Sequence, residues 1–104
     1  MPKPPKEVRD AAKRAIAERE KYKGLKNKPL TPTGVARMNQ LASGKEVSVD
    51  TIKRMKSFLE RHDKNFKPSE RVNGRQTKGT IAYNAWGGRA GLRWAKKVLR
   101  ETED

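Results

Sequence analysis

The chain has 104 residues, of which 26 are Lys or Arg and 12 are Asp or Glu, so its formal net charge is +14. This length fits one domain, the lack of cysteine excludes a disulfide scaffold and thiolate metal sites, and no apolar run is long enough to span a membrane. Self-repulsion of this size disfavours a compact chain, so the composition favours a polyanionic partner, most commonly nucleic acid.

The first predicted elements are an arm and a helix. Residues 1–5 contain three prolines and predict a flexible, extended arm. From Lys6 to Lys23, apolar residues recur on one stripe of a helix that Gly24 is predicted to end: Val8, Ala11, Ala12, Ala15 and Tyr22. Acidic side chains compensate many of the basic ones in this segment, so we interpret it as mainly structural.

Two further helices are predicted next, separated by a tight turn. Thr31 and Pro32 signal the start of a helix over 33–43, which Gly44 would end. Ser48 is a good N-cap for a third helix that runs to His62. Two short helices joined by a glycine-containing turn have the outline of a helix-turn-helix.

The segment 63–79 shows no regular hydrophobic period and is predicted to be a long basic loop. Loops of this length are usually functional or disordered. Four of its cations are candidate DNA contacts, because a basic loop can become ordered on the DNA backbone or in a minor groove: Lys67, Arg71, Arg75 and Lys78. The alternative is a solvated surface loop.

The C-terminal part predicts a short helix over 80–86, a break at Gly87-Gly88, a last helix over 89–101, and an acidic tail over 101–104. At 100° per residue, one side of the last helix is apolar and the opposite side carries cations with no acid among them: Arg89, Arg93, Lys96, Lys97 and Arg100. Like charges so close together repel one another, which favours phosphate binding over the alternative of a plain solvated face.

The predicted fold class is all-α: a single domain over 6–100 built as a small bundle of four to five helices, with a helix-turn-helix-like pair and a long basic loop. In such a pair the third helix is the recognition helix. Its outward residues are therefore candidate DNA contacts: Lys53, Arg54, Ser57 and Arg61. Ordinary helix packing produces the same outline, so this assignment has a purely structural alternative.

No catalytic residue, metal site or cofactor is predicted. His62 is the only histidine and lies at the end of an apolar face, where a structural or capping role is favoured. Most of the six aromatic residues fall on apolar stripes, so core packing is favoured and single-strand binding ranks below duplex binding. The glycines of 87–91 either bring helix N–H groups to a phosphate or allow close helix packing.

Three motifs together resemble a known family of small phage-encoded modules. They are Val35-Ala36-Arg37-x-x-Gln40-Leu41-Ala42-x-Gly44, then Val47-Ser48-x-x-Thr51-Ile52-Lys53-Arg54-Met55, and Trp86-Gly87-Gly88-x-x-Gly91-x-x-Trp94-Ala95. Such modules are found alone or attached to phage head-assembly and portal- or protease-like proteins. The resemblance implies a phage origin, but it supplies no catalytic residues. Relatives carry a more acidic loop before Ile81 and an acidic residue at the position of Arg89. The basic residues of this chain at those places favour a module that is adapted to binding nucleic acid.

The function predicted from the sequence is non-enzymatic binding of duplex DNA through phosphate contacts, with weak sequence preference and an effect on transcription or DNA compaction. The expected setting is the cytoplasm of an infected bacterial host, or the virion. Head assembly or packaging is one alternative, with a phage protein or a second copy of the chain as a partner. RNA binding is another.

Overall fold

Residues 1–102 are described by a computed structural model, in which they form five α-helices and one two-stranded hairpin. The helices are α1 (Lys6–Glu20), α2 (Pro32–Ser43), α3 (Val49–His62), α4 (Lys78–Ala85) and α5 (Gly88–Thr102). Each predicted helix is present, with bounds shifted by at most three residues, and the all-α class is confirmed. Residues 101 and 102 of the predicted acidic tail belong to α5, whereas residues 103 and 104 lie outside the described range.

Side-chain caps begin three of these helices. The hydroxyl of Thr31 accepts a hydrogen bond from the Gly34 amide over 3.1 Å, and that of Ser48 accepts one from the Thr51 amide, also over 3.1 Å. Thr77 does the same for α4 over 3.2 Å. Each cap satisfies an amide that the helix itself leaves without a partner, and is worth about 1 kcal/mol. The two caps that the sequence predicted are therefore present, and Thr77 adds a third.

The core lies around α1, which packs against α2, α4 and α5, while α3 packs chiefly on α5. The buried face of α1 includes three alanines, whose small side chains let the neighbouring helices approach closely. The larger core residues come from the other helices, and they include Leu41, Ile52, Met55, Leu59, Ile81 and Leu99. The apolar stripes predicted for α1, α3 and α5 therefore do face the interior.

The helix-turn-helix arrangement is not confirmed. Its local signals are present, since Gly44 ends α2 with a left-handed backbone (φ 76°) and Ser48 caps α3. The two helices nevertheless rest mainly on different neighbours, α2 on α1 and α3 on α5. The pattern of caps and turns fixes where helices start and stop, but it does not specify which helix each apolar face meets.

The segment 63–79 is more ordered than the predicted long loop. It contains a 3-10 turn (Asp63–Asn65) and an antiparallel hairpin of β1 (Arg71–Val72) with β2 (Arg75–Gln76). Asn73 and Gly74 both have positive φ, 53° and 79°, which is the geometry of a two-residue type I′ turn. The Tyr22 hydroxyl donates to the Gln76 carbonyl over 2.7 Å. The hairpin is thus fastened to the end of α1.

The N-terminal residues 1–5 lie packed on the domain rather than extending from it as the flexible arm that the prolines predicted. The Val47 amide donates to the Pro2 carbonyl over 2.9 Å. Arg9 Nη1 donates to the Pro4 carbonyl over 2.8 Å, and Pro4 is fully buried. Two hydrogen bonds and a buried ring therefore hold a segment whose composition alone indicated disorder.

Tyr83 is fully buried, although no apolar stripe predicted its position. Its ring stacks on Phe66 with centroids 5.0 Å apart, and its hydroxyl donates to Asp63 Oδ1 over 2.9 Å. Burial, followed by the hydrogen bond to Asp63, raises the pKa of Tyr83 from 10.0 to about 12. In the unfolded chain the hydroxyl ionises near its ordinary value, so the stabilisation from the neutral hydroxyl is complete below pH 10 and is lost as the pH rises towards 12.

We expect Tyr83→Phe to reduce the free energy of unfolding by about 1 kcal/mol at pH 8, because one hydrogen bond is lost. At pH 11 the difference between the two proteins should shrink, since only the wild type loses stability through ionisation of Tyr83. Urea unfolding at both pH values measures this. Titration of the lysines affects both proteins alike, so a difference that stays constant from pH 8 to pH 11 would contradict the prediction.

Candidate nucleic-acid interface

The cations of α5 form one exposed surface, here called the α5 face. The helix buries Gly91, Ala95 and Leu99 on its inner side. All five predicted residues of the opposite side are exposed: Arg89, Arg93, Lys96, Lys97 and Arg100. Within residues 1–102, none of the ion pairs involves a residue of α5. The charge of this face is therefore available to an external anion.

The two ends of the α5 face have different surroundings. Arg93 and Lys97 line a shallow cavity together with Lys3 of the packed N-terminal segment, which adds a cation that the sequence did not predict for this site. Arg89 places its guanidinium carbon 4.9 Å from the centre of the Phe66 ring. Arg89 is therefore partly engaged by the protein itself, and the four residues that follow it are the freer ones.

Two acids of α1 border the beginning of the α5 face. Glu7 and Asp10 line the same cavity as Arg89 and Arg93. Asp10 pairs with Lys6 over 2.7 Å, and this hydrogen bond lowers the pKa of the Asp10 carboxyl. No acid interrupts the cations along α5 itself, but the neighbouring helix reduces the positive potential near Arg89. At the other end of the face, Glu101 follows Arg100 in α5, so the cations are bordered by acids at both ends.

The glycines between α4 and α5 serve packing. Gly87, Gly88 and Gly91 are all buried, and they bring α5 against α1, α3 and the end of α4. The sequence left open whether this segment offers amide groups to a phosphate or allows close approach of helices. The structure contains the close approach, and with Gly88 and Gly91 buried, Arg89 is the exposed residue of the first turn of α5.

The predicted candidates on α3 also come together. Lys53, Arg54, Ser57 and Arg61 are exposed and line one cavity, whose remaining lining consists of Phe58 and Trp86. We call these four residues the α3 face. None of them takes part in an ion pair within the described part of the chain. Because they recur on one side of a 14-residue helix, the helical period alone was sufficient to find them.

The cations of segment 63–79 are more occupied by the protein itself. Arg75 Nε donates to the Lys21 carbonyl over 2.8 Å, and its guanidinium carbon lies 5.6 Å from the centre of the Tyr22 ring. Arg71 Nη1 donates to two carbonyls of its own segment, and Lys67 approaches Glu70 at 3.9 Å. Arg75 and Arg71 thus hold the hairpin in shape.

Lys78 is the exception in this group. It is exposed and lies in the first turn of α4 rather than in the loop that was predicted for it. Together with Arg75 it lines a cavity whose other cation is Lys26. The three predicted surfaces therefore line separate cavities, and the hairpin surface carries the least free charge.

His62 takes a structural position. Its ring lies 4.3 Å from that of Phe58, centroid to centroid, and its Nδ1 is 3.1 Å from Asn65 Nδ2. Among residues 1–102 there is no group of three or more His, Cys, Asp or Glu side chains that could hold a metal ion. None of the helices in the same range has the length and apolar character needed to cross a bilayer.

Comparison with protein-family models, with curated proteins and with solved structures finds no match to this chain. The resemblance to small phage-encoded modules therefore stays a prediction from the three sequence motifs.

Proposed function

We propose that this protein is a non-enzymatic DNA-binding protein that holds duplex DNA mainly through its phosphate backbone. The observation that carries the proposal is the α5 face, in which exposed cations lie on one side of a rigid helix without an ion pair in the described range. Phosphate contacts of this kind displace counterions and position a protein on DNA without reading its sequence.

The size of the molecule limits how many phosphates of a DNA duplex it can contact. Its longest dimension is 47 Å, which corresponds to about 14 base pairs at roughly 3.4 Å of rise per pair. The α5 face and the α3 face together contain eight cations and one hydroxyl. About six to ten phosphate contacts are therefore within reach, and base-reading amides are few, so we expect weak sequence preference.

The biological setting in this proposal follows from the resemblance to phage modules. A backbone-binding protein with little sequence preference would compact or coat DNA, or interfere with transcription, in an infected bacterial host. The basic character of this chain at positions where such modules are more acidic favours this role over head assembly.

A titration by fluorescence anisotropy against a 16-base-pair DNA duplex, its single strand and the matching RNA duplex tests the proposal. We expect the DNA duplex to bind most tightly at 50 mM salt. With six to ten phosphate contacts, its affinity should fall by about 10³- to 10⁵-fold between 50 and 200 mM salt. Unrelated duplex sequences should differ by less than about tenfold, because phosphates are the same in all of them.

Tighter binding to the RNA duplex would replace the proposal with RNA binding. Strong differences between duplex sequences would indicate that α3 reads bases as a recognition helix in the major groove. Failure to bind any of the three nucleic acids at 50 mM salt would refute a nucleic-acid function and would favour an acidic protein as the partner instead.

A further inference from the structure

The cavity beside the α3 face has walls of two kinds. Its volume is about 380 Å³. Cations and a hydroxyl form the outer wall, and two aromatic rings form the inner one: Phe58 and Trp86 stack with centroids 4.7 Å apart and planes inclined by 18°. No acid is among its lining residues. Aromatic walls restrict water on one side of the cavity, which strengthens electrostatic attraction to a bound anion.

Arg37 of α2 adds a cation beside this cavity: it is not among the lining residues, but it lies over the ring of Trp86, which is. Its guanidinium carbon lies 5.4 Å from the centre of the Trp86 ring, one of the lining side chains. Arg37 Nη1 donates to Gln40 Oε1, and Gln40 Nε2 in turn donates to the Glu46 carbonyl over 3.4 Å. The guanidinium is therefore held in a fixed orientation by its neighbours.

The placement of Arg37 is unfavourable for the protein alone. Its Nε is buried and has no hydrogen-bond partner in the described residues. Burial and the nearby charge of Arg54 both lower the pKa of Arg37. A buried donor without a partner destabilises a fold, and two like charges repel each other. An anion between Arg37 and Arg54 would relieve the repulsion.

We propose that this cavity is a phosphate-binding site, in which Arg54 and Arg61 hold one phosphate group of a nucleic-acid strand and Arg37 adds positive charge beside it. Arginine forks match the oxygens of phosphate, and the Ser57 hydroxyl and Lys53 ammonium lie on the same cavity wall as additional donors. The assignment of the phosphate to nucleic acid rests on the proposed function, whereas the affinity of the cavity for phosphate itself does not.

The cavity and the α5 face contribute to nucleic-acid binding in different ways. The cations of α5 lie on an open helix surface and can meet phosphates at many positions along a duplex. A phosphate seated in the cavity, with cations around it and aromatic rings on one side, occupies one position. The cavity would therefore set the register of the protein on the backbone, while the α5 face supplies most of the attraction.

Fluorescence of Trp86 is the natural probe, since its ring lines the cavity. Trp94→Phe leaves Trp86 as the single tryptophan. This protein is titrated with inorganic phosphate, with sodium chloride at matched ionic strength, and with the 16-base-pair duplex. We expect a saturable change with phosphate that chloride does not reproduce. Adding Arg54→Gln should weaken phosphate binding about tenfold, whereas adding Arg14→Gln, at an exposed arginine of α1 away from the cavity, should leave it unchanged.

The outcomes separate the two proposals. A phosphate response no different from that of chloride, or an equal loss in both arginine variants, overturns the site even if the duplex binds. A specific phosphate response without duplex binding supports the cavity as a site for free phosphate and refutes the nucleic-acid source. A specific response together with duplex binding that Arg54→Gln weakens supports the whole inference.

Discussion

Replacing Arg93, Lys96, Lys97 and Arg100 with glutamine is expected to weaken duplex DNA binding by about 100-fold or more at 50 mM salt. Each charged hydrogen bond to a phosphate contributes on the order of 1 kcal/mol or more, and 1.4 kcal/mol is tenfold in affinity. The dependence of log K on log salt should also become shallower by up to about 3.6, because each lost phosphate contact removes roughly 0.9.

These four positions give a sharper test than the full α5 face. Arg89 contacts the Phe66 ring, so changing it would also disturb packing. The other four are exposed and have no ion pair within residues 1–102. Glutamine keeps a long polar side chain with good helix propensity. The variant should therefore stay as helical as the wild type by circular dichroism.

The matched control replaces Lys6, Lys13, Lys21 and Lys23 with glutamine. Both variants reduce the net charge from +14 to +10, so general electrostatic attraction changes equally. Three of the control lysines pair with acids of α1, and exposed pairs of this kind contribute little to stability. We expect the control to bind within about tenfold of the wild type. Equal losses in the two variants would show that the α5 face has no special role.

The α5 face could be predicted because it depends on one helix alone. Its cations and its apolar stripe follow from the period of 3.6 residues, and Gly87-Gly88 fixes where the helix starts. The same holds for the α3 face, whose N-cap Ser48 is visible in the sequence. Local signals of this kind carry over directly from residues to structure.

Arg37 could not be predicted, because its role depends on how two helices are placed in space. On α2 it is one polar residue among others. It comes to lie beside the cavity only because Trp86 follows the end of α4 and packs under it, and because α3 places Arg54 nearby. For the same reason the helix-turn-helix prediction is not confirmed, because the spacing of residues along the chain does not determine which helices pack against each other.

The hairpin was missed for another reason. Asn73-Gly74 is a recognised type I′ turn signal, but each flanking strand has only two residues, too few to show an alternating pattern. The groups that stabilise the hairpin are distant from it in sequence. The Tyr22 hydroxyl and the Lys21 carbonyl each form a hydrogen bond with a hairpin residue that lies 54 positions further along the chain. The charge of Arg75 predicts a DNA contact, and the structure adds that its hydrogen bond to the Lys21 carbonyl ties the hairpin to the turn that follows α1.

The second large effect is expected from Gly87→Ala, which should reduce the free energy of unfolding by about 3 to 5 kcal/mol. Gly87 has φ +109°, a conformation that residues with a side chain rarely adopt, and such strain costs about 1 to 3 kcal/mol. An added Cβ would also lie 2.9 Å from Gly91 Cα and 3.2 Å from Val8 Cγ1. Relieving the contact with Gly91 distorts the start of α5, and relieving the contact with Val8 requires that start to shift away from α1. Overpacking of this kind adds roughly 1 to 3 kcal/mol.

Thermal unfolding measures the prediction, with Gly74→Ala as the matched control. In a domain of this size, 3 to 5 kcal/mol corresponds to a decrease in Tm of roughly 15 to 30 °C. Gly74 also has a positive φ, +79°, but nothing lies within 4 Å of its added Cβ, so only the backbone strain of about 1 to 2 kcal/mol remains. The difference between the two variants therefore isolates the close approach of α5. If Gly87→Ala unfolded at the same temperature as Gly74→Ala, the close packing of Gly87 against Val8 and Gly91 would not be what holds the start of α5, and with it the cationic face, in place.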